Sequence, residues 1–231
     1  MSRGAPSQGV LYMVATPIGH LSDITLRALE ILKACDYAAC EDTRRTLKLF
    51  NHFGISKPLI NLYGFKERAQ SAKILRLLED GKTVALVTDA GTPGLSDPGN
   101  LLAREARKAG IPVLPIPGVS APAALASVSG LTSDGFIFLG FLHRKKSKIR
   151  KELESSARPG LPLIFFESPY RVVETLGIAQ EVFGPDAECV AGREMTKKFE
   201  EYISGTVAEV LAKLSAREIL GEFTILIQPP S

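Results

Sequence analysis

Hydrophobic and polar positions along this chain fall into blocks that switch between short apolar runs and longer stretches of helical period. An apolar run bounded by turn residues predicts a buried strand, and apolar positions three and four apart predict a helix. In the first half, predicted strands cover 10–15, 37–40, 58–62, 83–88 and 112–116. A helix capped by Ser22 or Asp23 runs to about Ala34, with Ile24, Leu26, Leu29, Ile31 and Leu32 on its apolar side. A basic helix at 43–53 closes at Gly54, a helix at 67–79 turns Ile74, Leu75, Leu77 and Leu78 inward, and a third at 100–108 stops at Gly110. Strands alternating with helices predict a parallel sheet with helices on its faces.

Pro115-Ile116-Pro117-Gly118 is the best boundary, separating an α/β domain at 10–117 from a second at 118–231 after a flexible tail at 1–9. Beyond it, Ser120 caps a small-residue helix to Ser129, and strands are predicted at 136–141, 162–167, 188–194, 201–204 and 223–228. Helices are predicted at 143–156, from a Ser168-Pro169 start to Phe183, and from the capping box Thr206-Val-Ala-Glu209 to Ser215. The late strands lie close together, which predicts some antiparallel pairing.

Composition narrows the class. The chain of 231 residues is 45% hydrophobic and 23% charged, with a net charge of +3. That is an ordinary soluble globular composition, and it permits a nucleic-acid partner without demanding one. Cys35, Cys40 and Cys189 are scattered, which predicts reduced thiols in a cytoplasmic protein. The stretch 111–131 is apolar but broken by four prolines, a poor membrane span.

Among the predicted strand ends, 84–99 carries the densest chemistry. The run Val84-Ala-Leu-Val87 leads into Thr88-Asp89, and Gly91, Gly94 and Gly99 follow with Pro93 and Pro98 among them. A rigid Gly-rich loop at the carboxyl end of a parallel strand is where open α/β sheets bind ligands. The same residues also serve plain turns. No phosphate loop of the GxxxxGK[ST] kind, no GxGxxG after a strand, no GxSxG and no HExxH is present, which argues against nucleoside triphosphates, NAD, α/β-hydrolase chemistry and zinc peptidase chemistry. Asp42, Asp89 and Glu167 each close a predicted strand, where a carboxylate could hold an ammonium or ribose hydroxyls, act as a base, or merely cap the next helix. Ser120-Ala121 after Pro117-Gly118 offers free N–H groups at a helix start, or a simple cap. Basic residues cluster at Arg44, Arg45 and Lys48, along His143 to Lys151 (Lys145 and Lys146 included), and at Arg193, Lys197 and Lys198. Such clusters either neutralise nucleic-acid phosphates or form solvated faces.

Six segments together resemble one family: TPIGHLSDITLRALE at 16–30, CEDTRRT at 40–46, TDAGTPGLSDPG at 88–99, PGVSA at 117–121, FFESPYR at 165–171 and REMTKKFEE at 193–201. The sequence is similar to the bacterial small-subunit (16S) ribosomal RNA 2′-O-ribose cytidine methyltransferases of the tetrapyrrole methylase superfamily. The resemblance implies a class III methyltransferase fold, two α/β domains with S-adenosylmethionine in the cleft between them. It implies methyl transfer to the ribose 2′-oxygen of a decoding-centre cytidine, a cytoplasmic homodimer, no membrane and no metal. By position, the cofactor would lie against Asp89, Gly91, Thr92, Ser120, Ala121, Phe166, Arg193 and Phe223. Thr16, Arg44, Arg45, Lys145, Lys146 and Lys197 would face the RNA, and Glu167 and Lys197 are the candidates for a catalytic base. Alignment of oxygen, methyl and sulfur can supply about 7–11 kcal/mol of barrier reduction, and a base adds ~10²–10⁴-fold. His20 stands where the family pattern has Asn, and Tyr170 where it has His. Two alternatives are a tetrapyrrole C-methyltransferase, disfavoured by the loop Ala15-Thr-Pro-Ile-Gly19 and the basic run, and a non-catalytic ribosome-binding relative, disfavoured by the intact loop at 88–99.

Overall fold

The computed structural model describes residues 9–62, 67–132 and 134–230. Backbone contacts divide the chain into two units, Met1–Ser120 and Ala121–Ser231, so the division falls a little after the Pro117-Gly118 turn. The tail expected at 1–9 lies outside the described residues except for Gly9, which belongs to the fold. Gly9 is buried, its N–H donates to the Leu78 carbonyl at 3.1 Å, and an added Cβ would collide with the Leu78 and Lys82 carbonyls.

The first unit alternates strand and helix. Its strands are β1 (Leu11–Val14), β2 (Tyr37–Cys40), β3 (Leu59–Asn61), β4 (Val84–Val87) and β5 (Val113–Ile116). Its helices are α1 (Leu26–Ala34), α2 (Thr43–His52), α3 (Glu67–Glu79) and α4 (Asn100–Lys108). All pairings are parallel, in the order β3-β2-β4-β1-β5. All four residues of β4 are buried because both faces of the sheet are covered. Val84 and Leu86 pack with Ile74, Leu78, Leu102 and Ala106 of α3 and α4. Ala85 and Val87 pack with Ala28, Leu32 and Phe50 of α1 and α2. Each fully buried Leu, Ile or Phe contributes about 1.5–3 kcal/mol by leaving water. The adjacent strands β1 and β4 send their chains to α1 on one face and α4 on the other. In open α/β sheets such a divergence marks the strand ends where ligands bind.

The expected start of the first helix is corrected. Leu21–Asp23 forms a single 3-10 turn capped by His20, Ile24 is extended, and Thr25 caps α1 by accepting the Ala28 N–H at 3.1 Å.

The second unit holds α5 (Ala121–Ser129), β6 (Ile137–Phe141), α6 (Lys146–Ser156), β7 (Leu163–Glu167), α7 (Val172–Phe183), β8 (Glu188–Arg193), β9 (Glu201–Thr206), α8 (Val207–Ser215) and β10 (Phe223–Ile227). Its sheet runs β6-β7-β10-β8-β9 and is parallel only between β6 and β7. Helices α6, α7 and α8 cover one face with Ile149, Leu153, Leu176, Phe183, Val210 and Leu214. The capping box of α8 forms as the sequence predicts. Helix α7 does not start at Ser168-Pro169. The Ser168 carbonyl accepts from the N–H groups of Arg171 and Val172, so 168–171 is a turn and Arg171 takes the cap position.

Candidate active site

In the first unit, the loops that leave β1, β4 and β5 are tied together. Thr16 and Gly91 exchange backbone hydrogen bonds of 2.9 and 3.0 Å in a short antiparallel bridge. The Thr16 hydroxyl donates to the Thr88 carbonyl at 3.1 Å, and the Thr92 hydroxyl donates to the Val119 carbonyl at 3.0 Å. Gly91 sits at φ +81°, where a side chain would be strained although the space above it is only loosely contacted by Ile18 and Val119. Thr16, expected to face RNA, is instead 3% exposed, and its hydroxyl is used to splice two loops. Gly91 and Thr92 lie in this knot. Ser120 ends the first unit, and α5 starts at Ala121.

Beside the knot, Glu41, Asp42, Asp89 and Asp97 gather at the ends of β2 and β4. Asp89 accepts the Asp42 N–H at 3.1 Å and pairs with Arg45 at 3.3 Å. Arg44 pairs with Asp42 at 2.7 Å, and its guanidinium holds the Asp42 carboxyl down at about 2. Arg44 and Arg45 are exposed on α2 as expected, yet each spends part of its charge on these acids. Glu41 and Asp97 have no ion pair among the described residues. Partial burial, with the charges of Glu41 and Asp89, pushes Asp97 up to about 6. Burial and the neighbouring Asp89 likewise raise Glu41. Excess negative charge at these strand ends is suited to a cationic ligand. Sequence reasoning missed Asp97 and Glu41. Asp97 sits eight residues past Asp89 (97 − 89), and no periodicity shows that the loop brings it back toward Glu41.

In the second unit, three expected positions share one row of the sheet. Phe223 at the start of β10 is paired with Glu167 at the end of β7 and with Arg193 at the end of β8. Phe166 is half-buried and meets Phe138 edge-on and Phe141 at a tilt. Glu167 is 3% exposed and lies in this sheet of the second unit, whereas Asp42 and Asp89 belong to the first unit. Its carboxylate accepts the Thr175 hydroxyl at 2.7 Å and the Ser168 N–H at 2.8 Å, and pairs with Arg171 at 3.4 Å. With both oxygens engaged, it holds the β7–α7 turn.

Lys197 lies between β8 and β9, in a segment where Glu194 and Thr196 take φ of +47° and +63°. Its ammonium donates to Glu194 and Glu222, both at 2.9 Å. Partial burial pulls its pKa down, but the two carboxylates outweigh that and raise it above the ordinary lysine value. A lysine kept as a cation cannot accept a proton, so the base role expected for Lys197 is corrected to that of a charged donor. Arg193 donates to the Leu220 carbonyl and pairs with Glu201 at 3.4 Å. On α6, Lys146 pairs with Glu174 at 2.6 Å and Arg150 pairs with Glu181. Lys145 precedes the helix and is exposed. No groups of three or more His, Cys, Asp or Glu positioned to hold a metal occur among the described residues.

Comparison with known proteins follows the same outline. Residues 10–211 match the family model of Tetrapyrrole (Corrin/Porphyrin) Methylases. Ribosomal RNA small subunit methyltransferase I of Mycoplasmopsis pulmonis is 47% identical over 94% of this chain and 96% of its own length. The protein of that name from Leptospira biflexa is 44% identical, with 95% and 91% covered. The chain belongs to the small-subunit ribosomal RNA methyltransferase I family. The one from Bacillus subtilis, 40% identical over 97% of this chain, is covered over 77% of its length. Family membership is accompanied by the shared tetrapyrrole methylase fold. A cobalt precorrin-4 methyltransferase superposes with a TM-score of 0.69 at 18% identity, covering 95% of this chain and 94% of that one. A uroporphyrin-III C-methyltransferase from Thermus thermophilus, solved with S-adenosyl homocysteine, gives 0.65 at 18% identity, covering 94% and 97%. The two-lobed α/β class III architecture expected from the sequence is therefore the fold of this family.

Proposed function

We propose that this protein is an S-adenosylmethionine-dependent methyltransferase of 16S ribosomal RNA, acting on the ribose 2′-oxygen of a decoding-centre cytidine. Relatives at 40–47% identity carry the name of small-subunit rRNA methyltransferase, which supports the substrate class. The observation that carries the cofactor reading is the charge balance at the β4 loop. Four carboxylates meet two guanidiniums there, and Asp97 and Glu41 are left with raised pKa values. S-adenosylmethionine has a sulfonium and an ammonium against one carboxylate, a net cation, so the residues present fit it.

When bound, S-adenosylmethionine supplies an electrophilic methyl on a good leaving group. Asp89, Asp97 and Glu41 would hold its positive charge, and Gly91 and Thr92 would offer a loop already fixed by Thr16 and Val119. Ser120, Ala121, Phe166, Arg193 and Phe223 remain proposed cofactor positions. Arg44, Arg45, Lys145 and Lys197 are proposed to meet RNA phosphates as cations. With the Glu167 oxygens and the Lys197 ammonium already engaged within the fold, the proposed reaction proceeds chiefly by orientation, a contribution of about 7–11 kcal/mol in well-aligned systems. The proposal includes a cytoplasmic homodimer, and light scattering at twice 24.9 kDa is its check.

The test supplies labelled S-adenosylmethionine with either unmethylated small ribosomal subunits or uroporphyrinogen. Label in the ribosomal RNA alone is expected. Label only in the porphyrinoid would overturn the substrate, and the absence of S-adenosylmethionine binding by calorimetry would overturn the cofactor.

A further inference from the structure

Strand β6 is an edge strand, and its pairing with β7 slips. Ile137 lies opposite Leu163 and Phe138 opposite Ile164, but Phe141 lies opposite Phe166. Three steps on β6 thus match two on β7, which is a bulge of one residue. Gly140 takes φ +67° there, a left-handed conformation that a side chain would resist. In a regular strand, residues three apart point to opposite faces. The extra residue returns Phe141 to the face of Phe138. The rings record this: Phe138 and Phe141 both contact Phe166, with centroids 5.0 and 5.2 Å away. Phe165 points the other way, into the core, and is fully buried. Phe141 is 63% exposed. The bulge therefore aims a large aromatic ring at solvent, which core packing does not require.

The chain continues from this ring straight into its densest basic run. The Arg171 guanidinium, itself held by Glu167, donates to the His143 carbonyl at 2.8 Å and fixes the turn after β6. Lys146 and Arg150 spend their charge on α7. Arg144, Lys145, Lys148 and Lys151 are exposed and have no ion pair among the described residues. We infer that the exposed Phe141 ring, propped by Phe138 and Phe166, is a base-stacking platform for a single-stranded segment of the RNA substrate, whose backbone is held by Arg144, Lys145 and Lys148. This rests on the proposed RNA substrate. Aromatic rings rimmed by cations are the means by which proteins hold unpaired bases, whose faces a duplex hides. A second copy of this chain seated on the same face would bring like charges together, so charge complementarity selects RNA.

The test measures fluorescence anisotropy of a labelled pyrimidine-rich single strand, and of the same strand in a blunt duplex, with wild type, Phe141→Ala, Phe141→Trp and Lys145→Ala/Lys148→Ala. Wild type is expected to prefer the single strand. Phe141→Ala is expected to weaken it by roughly five- to 150-fold, the loss of one stacked base, with an unchanged salt slope, and Phe141→Trp to restore it. The double lysine variant is expected to lower the salt slope. Cofactor titration and light scattering on each variant monitor fold and assembly. Equal single-strand affinity of wild type and Phe141→Ala overturns the platform, as does preference for the duplex. Dissociation of a dimer by Phe141→Ala with unchanged RNA affinity overturns it too and assigns the face to a second copy. Methyl transfer to small subunits is read separately. Its failure with stacking intact overturns the proposed activity and leaves the platform standing.

Discussion

Asp97→Asn separates cofactor binding from stability, because the ionised carboxylate is expected to help one and harm the other. Asp97 is pushed up to about 6 by partial burial and by Glu41 and Asp89. If the cationic cofactor binds the ionised form, affinity rises as pH climbs through that value. About a tenth of the sites are ionised at pH 5 and nearly all at pH 7.5, so wild-type affinity should rise about tenfold over that range. Asp97→Asn should start near the wild-type value at pH 5 and rise less steeply, the remaining rise belonging to Glu41. Stability has the opposite sign. A carboxyl raised in the folded state contributes stability below its unfolded value of 3.8, and this is lost as pH rises through about 6. At pH 8 the ionised group is therefore a cost that Asn removes. Discounted for partial exposure, the gain is on the order of 1 kcal/mol, or about 2–4 °C in Tm. At pH 3.5 it should vanish. Isothermal titration across pH, with thermal unfolding at pH 3.5 and 8, gives both readings. Affinity of Asp97→Asn equal to wild type at pH 7.5 would refute the charge argument, as would wild-type affinity that falls with rising pH.

Further outcomes follow from the same geometry. Gly91→Ala should cost about 1–2 kcal/mol through its left-handed backbone, without a clash, and chemical denaturation measures it. Glu167→Gln should retain methyl transfer within about tenfold, where loss of a general base would cost ~10²–10⁴-fold, and single-turnover kinetics decides between them. Glu167→Ala should destabilise the fold by about 1–3 kcal/mol, because it leaves the buried Thr175 hydroxyl without its acceptor while Arg171 keeps the His143 carbonyl, seen as a lower denaturant midpoint. Lys197 stays protonated through neutral pH, so the rate profile from pH 6 to 9 should have no limb that Lys197→Arg abolishes.

Much of the fold was legible because burial on both faces leaves a plain mark. Continuous apolar runs such as Val84–Val87 announce a doubly covered parallel strand, and the helices Glu67–Glu79 and Asn100–Lys108 end where glycine follows. Helix starts were less legible wherever a polar pair competed for the role. Ser22 and Asp23 look like caps, but Thr25 is the one whose hydroxyl meets an N–H. Ser168-Pro169 looks like a cap and first turn, but Glu167 draws Thr175 and Arg171 toward it and delays the helix to Val172. The candidate site was legible as strand ends and a Gly-rich loop. Its charge balance was not, because Asp97 and Glu41 are far apart in sequence and meet only through the β4 loop. The bulge at Gly140 left no periodic signal, since one inserted residue only reverses the alternation.

The central claim is the identity of the methylated atom. Mass mapping of 16S ribosomal RNA nucleosides should be done in cells lacking the gene, with and without this protein restored. One added methyl on the ribose of a decoding-centre cytidine, present only with the protein, is predicted. A small-subunit RNA unchanged in mass when the protein is restored, or a methyl placed on a base, would contradict the account.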